Sequence, residues 1–145
     1  MVFAGDPSEI DCLDNRVQLG SDLPTFAHGF TVSGYETILS GRMHIVGPDQ
    51  HHGFEHRLVG DTPGTAYFNA DWADEVAGLL KNAMGGSALG FEKSGAGRTG
   101  FQAFDEHVAD KTSQWLLNRG TEEQEGTSGR PFMMVAGLFF PHNPW

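Results

Sequence analysis

The chain has 145 residues, with 9 Lys or Arg against 19 Asp or Glu, so its formal net charge is −10. This length provides one modest domain, and the acidic balance argues against a nucleic-acid partner, whose phosphates require a basic surface. The single cysteine, Cys12, excludes an internal disulfide, and no apolar run is long enough to span a membrane, so no membrane partner is expected.

The first part of the chain predicts an irregular segment followed by a helix. Residues 1–22 are acidic and rich in turn signals, and residues 1–10 are not a signal peptide, which leaves cytoplasm and periplasm both open. Asp22 is a candidate N-cap with Pro24 in the first turn, and Gly34 is placed to end the helix.

A short strand and a long loop come next. Residues 35–40 predict a strand, and the loop of residues 41–61 then carries Arg42, His44 and a group of three further histidines, His51, His52 and His56. A loop of this length in a compact domain is usually functional or disordered. Its apolar residues favour order, so we predict that it carries the chemistry.

The remainder predicts a second helix and a second strand. Residues 62–97 are rich in glycine and predict a surface excursion with a short helix at residues 73–84. Apolar residues recur at helical spacing over residues 101–116, with Gly120 placed as the stop and residues 121–130 as a solvated loop. Residues 132–140 carry no charge and predict a buried parallel strand, which is followed by His142.

Each predicted strand therefore delivers a histidine just beyond its carboxyl end. Parallel strands joined by right-handed crossovers end at the same edge of a sheet, so His44 and His142 are predicted to meet over one site. Histidine protonates a leaving oxygen near neutral pH, and Arg42 offers a positive fork to a tetrahedral oxyanion. Alternation along an extended segment would put Arg42 and His44 on the same side. This pattern indicates hydrolysis of a sulfate or phosphate ester. The alternative is that both histidines bind loop carbonyl groups.

A second alternative is a non-catalytic metal or anion binder. His51, His52 and His56 are close in sequence, and histidine is a common metal ligand. However, Gly53 interrupts the helix that would align His52 with His56.

Several segments resemble the sulfatase family, most closely its choline-sulfatase-like branch. The likeness covers residues 11–61 and 98–145, whereas residues 62–97 match nothing recognisable and are treated as a variable insert. The matching motifs are Asp14-Asn15, Asp22-Leu23-Pro24-Thr25-Phe26-Ala27-His28, GYETILSGRMHIVGPDQ at 34–50, His52-Gly53-Phe54-Glu55 with Arg57, Phe104-Asp105-Glu106, Arg130-Pro131-Phe132 and Pro141-His142-Asn143-Pro144-Trp145.

The resemblance implies a partial alkaline-phosphatase-like α/β fold, with mainly parallel strands and crossover helices, and hydrolysis of small sulfate esters. It also implies a formylglycine nucleophile and a divalent cation, usually calcium, in the complete enzyme. His44 and His142 match the family's sulfate-binding and proton-transferring histidines, and Arg42 stands where the family usually has lysine. The substrate-binding set is thus Arg42, His44 and His142, with His44 and His142 catalytic.

The sequence also departs from the family pattern. Cys12 lacks the Pro-Ser or Ala core of the formylglycine motif, and no metal-ligand segment matches, so no metal ligand is expected in this chain. We therefore expect residues 1–145 to be a central fragment of a sulfatase catalytic domain that is inactive alone, with a possible oligomer. A degenerate, sulfatase-like interaction protein is the competing expectation.

Overall fold

The computed structural model describes residues 6–13, 17–61, 95–127 and 129–141. His142 and the helix predicted at residues 73–84 lie outside these ranges. The elements are a 3-10 turn at Pro7–Ile10, helix α1 (Phe26–Val32), strand β1 (Glu36–Gly41), strand β2 (His56–Val59), helix α2 (Gly100–Gln124) and strand β3 (Phe132–Gly137).

The three strands form one parallel sheet in the order β2-β1-β3. The central strand β1 is buried from Thr37 to Ser40, because a parallel strand with neighbours on both sides is covered on both faces. The predicted parallel α/β architecture is confirmed, and it is consistent with part of an alkaline-phosphatase-like fold.

The two helices cover opposite faces of the sheet. Leu39 packs with Ala27 of α1, whereas the Thr112 hydroxyl of α2 donates to the Ser40 hydroxyl at 2.9 Å. Because successive side chains of a strand point to opposite faces, these neighbours place α1 and α2 on either side of β1. Phe104 of α2 is fully buried and lies edge-on to Phe139, with ring centroids 5.6 Å apart.

Helix α1 begins later than the sequence predicts. Its N-cap is Thr25 and not Asp22, and the Thr25 amide donates to Nδ1 of His28 at 3.0 Å. If Asp22 were the N-cap, its side chain would accept from the Thr25 amide. In the structure the His28 side chain accepts from this amide instead. Gly34 follows the helix with a φ of +87°, in the position predicted for the stop.

Helix α2 continues through Gly120, where the sequence predicts its end. Arg119 is buried, and its Nη1 lies 3.1 Å from Oε2 of Glu36 in β1. The guanidinium also lies near the rings of Trp115 and Phe132. A single glycine inside a helix costs only about 1 kcal/mol relative to alanine, and these tertiary contacts outweigh that cost. Part of the predicted loop at 121–130 is therefore helical.

Strand β2 is absent from the sequence prediction, and β3 is shorter than predicted. β2 lies inside the loop predicted at residues 41–61, and its charged residues conceal the strand pattern. β3 pairs in parallel with β1 as expected, but it ends at Gly137 and its side chains are mostly half-buried among the described residues.

The ends of β1 and β3 approach each other very closely. Gly41 and Gly137 are partners in the register, and the amide of Arg42 donates to the Gly137 carbonyl at 2.8 Å. A Cβ on Gly41 would overlap this carbonyl oxygen and lie 2.7 Å from Cγ2 of Val108. Gly41 also has a φ of +87°, which other residues rarely adopt.

Among the described residues, no helix is both long and apolar enough to cross a membrane.

Candidate active site at the carboxyl edge of the sheet

Arg42 and His44 lie together just beyond the end of β1. Nη2 of Arg42 is 3.2 Å from Nδ1 of His44. The sequence predicts that the two side chains share one side of an extended segment, but His44 has a φ of +56°, in the left-handed region. The left-handed backbone of His44 therefore accompanies the contact between imidazole and guanidinium.

The Arg42 guanidinium lies on an aromatic ring and not on a carboxylate. Its central carbon is 4.2 Å from the ring centroid of Phe139, which follows β3. The other described arginines each have a carboxylate within 4 Å: Arg57 with Asp61, Arg98 with Glu106, Arg119 with Glu36 and Glu122, and Arg130 with Glu55. Within the described ranges, Arg42 is thus the arginine whose charge no carboxylate neutralises.

A buried carboxylate shapes the turn that carries His44. Oδ2 of Asp61 accepts from the amides of Met43, His44 and Ile45, and the Asp61 side chain is fully buried. Sequence reasoning did not identify Asp61, because its partners lie 16 to 18 residues away and no motif marks the contact.

A second carboxylate shapes the turn after β3. The side chain of Asp105 in α2 accepts from the amides of Phe139 at 2.6 Å and Phe140 at 3.0 Å. The turn is described as far as Pro141, and within it Phe139 lies against Arg42. His142 itself lies outside the described residues, so its meeting with His44 stays a prediction.

The three histidines of the long loop do not share a site. Nδ1 of His51 lies 2.9 Å from the Phe54 carbonyl, and Nε2 of His56 lies 3.2 Å from the Glu36 carboxylate. His52 is buried, with Nδ1 at 3.6 Å from the carboxylate of Asp49. In the described part of the chain, no three His, Cys, Asp or Glu side chains are arranged to hold a metal ion.

His52 gives the fold a dependence on pH. Burial lowers the pKa of His52 by more than the Asp49 carboxylate raises it, and the charges of His28 and Arg57 lower it further. Neither ring nitrogen has a hydrogen-bond partner in the described ranges. A buried imidazole in these surroundings remains neutral where an exposed imidazole is protonated.

We expect the free energy of unfolding to fall as the pH falls below about 6.5, the usual pKa of an unfolded histidine. Below this pH the unfolded chain binds a proton that folded His52 does not. Urea unfolding at about pH 7.5 and about pH 5 measures the change. His52→Gln should make it smaller, and an equal change in this variant would assign the dependence to other groups.

The comparisons with known proteins agree with the motifs. No family model matches the chain. A choline-sulfatase of Rhizobium meliloti (strain 1021) is 34% identical to the chain over 143 residues, which cover 96% of the chain and 27% of the relative. The chain therefore spans about a quarter of the length of this relative. Its resemblance to the sulfatase family, at the choline-sulfatase-like branch, is thereby confirmed.

Proposed function

We propose that the chain is an internal part of a sulfuric ester hydrolase and carries one wall of the site that binds the sulfate group of a small ester. The observation that carries this proposal is the position of the Arg42 guanidinium. Within the described ranges its guanidinium has no carboxylate partner, and it lies beside an imidazole at the carboxyl edge of a parallel sheet. This edge is where open α/β sheets bind ligands.

The chemistry follows from the two side chains. A guanidinium fork binds two oxygens of a tetrahedral anion, and the aromatic face of Phe139 holds its plane in position. His44, in contact with Arg42, is proposed to protonate the leaving oxygen of the ester. His142 is proposed as the second histidine of this wall, since it follows Pro141 at the end of the turn beside Arg42.

A nucleophile and a metal ion are proposed only because of the likeness to the sulfatase family. The relative's likeness implies a formylglycine and a divalent cation in the complete enzyme, with calcium as our expectation. Among the described residues no three His, Cys, Asp or Glu side chains are arranged to hold a metal ion, and the sequence around Cys12 lacks the core of the formylglycine motif. We accordingly propose that residues 1–145 alone do not hydrolyse sulfate esters.

The test uses the polypeptide encoded by the complete reading frame around this chain. Turnover of 4-nitrophenyl sulfate and choline sulfate, with 4-nitrophenyl phosphate as comparison, should show a preference for sulfate esters. Residues 1–145 alone should release no product. A well-folded complete polypeptide that hydrolyses none of these sulfate esters would overturn the proposal and favour a degenerate binding protein.

Arg42→Ala should lower kcat/KM for the sulfate ester roughly 10- to 150-fold. This range corresponds to about 1.5–3 kcal/mol for a hydrogen bond to a charged group. Arg98→Ala is the matched control, because Arg98 is exposed and paired with Glu106 on the surface. Similar losses in both variants would mean that Arg42 has no specific part in binding the sulfate group.

A further inference from the structure

We propose that Asp61 is the positioning residue of this site: its buried carboxylate holds the turn that presents His44, while it touches no substrate itself. The activity part of this inference rests on the proposed function. Its structural part does not, because it concerns contacts within the chain.

The geometry is that of an anion bound by successive backbone amides. Oδ2 of Asp61 accepts from the amide of Met43 at 3.2 Å, from His44 at 2.5 Å and from Ile45 at 3.3 Å. Three successive amides that converge on one point form a concave nest that binds anions. Here the chain provides its own anion from a position 16 to 18 residues further on.

The carboxylate also compensates for an unfavourable backbone conformation. His44 has a φ of +56°, a region in which a residue other than glycine is strained. Such a conformation persists where surrounding contacts determine it. The His44 amide is the middle one of the three amides that donate to Asp61, so the strained residue is held directly by the carboxylate.

Arg57 allows this negative charge to be buried. Its Nη2 lies 3.8 Å from Oδ2 of Asp61, and the Arg57 side chain is only 3% exposed. Nη1 of Arg57 donates to the carbonyl of Gln50 at 2.6 Å and to its side-chain oxygen at 2.7 Å. Because Arg57 compensates for the charge of Asp61, the charge of Arg42 remains available to an anion.

Arg42 and His44 depend on Asp61 to different degrees. The Arg42 amide belongs to the ladder between β1 and β3, and its guanidinium lies on Phe139, so its position is fixed without Asp61. His44 has its amide on Asp61. Loss of the carboxylate should therefore displace the imidazole more than the guanidinium, which predicts a larger effect on kcat than on KM.

The test compares Asp61→Asn and Asp61→Ala in the complete polypeptide. Asparagine keeps one oxygen acceptor but loses the charge, so kcat for the sulfate ester should fall at least tenfold for alanine and less for asparagine, with KM changed less than threefold. The backbone amide protons of residues 43–45, followed by NMR, should shift upfield, whereas those of β1 should stay in place.

Asp49→Asn is the matched control. Asp49 lies in the same loop and likewise accepts from two successive amides, those of His51 and His52, but it does not hold the turn of His44. This variant should keep the parent kcat. An equal loss of kcat in Asp49→Asn, or an unchanged kcat in Asp61→Ala, would overturn the positioning role.

The amide shifts separate this inference from the proposed function. If the polypeptide hydrolyses no sulfate ester but the amides of residues 43–45 move in Asp61→Asn, the hold on the turn stands and the sulfatase assignment fails. If the amides do not move, the inference fails whatever the activity. If Asp61→Ala does not fold, Asp61→Asn provides both measurements.

Discussion

Replacement of His44 by alanine is expected to lower kcat for sulfate-ester hydrolysis by about 10²- to 10⁴-fold, the usual contribution of a general acid or base. The side chain is half-buried beside Arg42, and its removal leaves the sheet and both helices with their packing. The melting temperature of the complete polypeptide should therefore change little. His142→Ala should have an effect of the same order if His142 shares the site.

The leaving group of the ester identifies the role of His44. A proton donor matters most when the leaving oxygen is basic, so the loss should be larger for an alkyl sulfate than for 4-nitrophenyl sulfate. His56→Ala is the control, because His56 begins β2, is half exposed and pairs with Glu36 at the opposite edge of the sheet. Activity near the parent level in His44→Ala would refute the catalytic assignment.

Gly41→Ala is expected to have the largest effect on stability. A left-handed φ costs alanine about 1–2 kcal/mol, and overpacking adds about 1–3 kcal/mol, so the free energy of unfolding should fall by about 2–5 kcal/mol. The overlap falls on the Gly137 carbonyl and on Val108, at the point where β1, β3 and α2 meet. Chemical denaturation of the complete polypeptide measures the loss.

Gly34→Ala separates the cost of the left-handed φ from the cost of overpacking. Gly34 has the same φ of +87° as Gly41, but a Cβ there would have no described atom within 4 Å. This variant should lose only the conformational share, about 1–2 kcal/mol. Equal losses in the two variants would show that the close approach of the strand ends contributes nothing.

The elements that the sequence predicts well are those with a local signal. β1 and β3 contain uncharged or weakly charged apolar runs, and α2 has apolar residues at helical spacing, so their type and parallel arrangement follow from the pattern. The contact between Arg42 and His44 is also local, since only Met43 separates them. Even so, the left-handed backbone of His44 accompanies this contact, and not the predicted extended one.

The features that the sequence does not predict depend on distant partners. Asp61 binds amides 16 to 18 residues away, and Asp105 binds amides more than 30 residues away. Arg119 extends α2 past Gly120 through a carboxylate in β1. In each case a buried or partly buried charged side chain contacts a partner that is distant in sequence, and no spacing rule along the chain encodes that contact.

The hydrogen bonds from Phe139 and Phe140 to Asp105 bear on how this site tolerates evolutionary change. Asp105 lies in the second turn of α2, and Thr112 further along the helix contacts Ser40 of β1, so an insertion or deletion between Asp105 and Thr112 would rotate the carboxylate by about 100° per residue relative to the sheet. The exit of β3 would then lose its anchor. Beyond Arg119 the same helix can lengthen or shorten without this penalty, and homologous proteins should concentrate their length variation there.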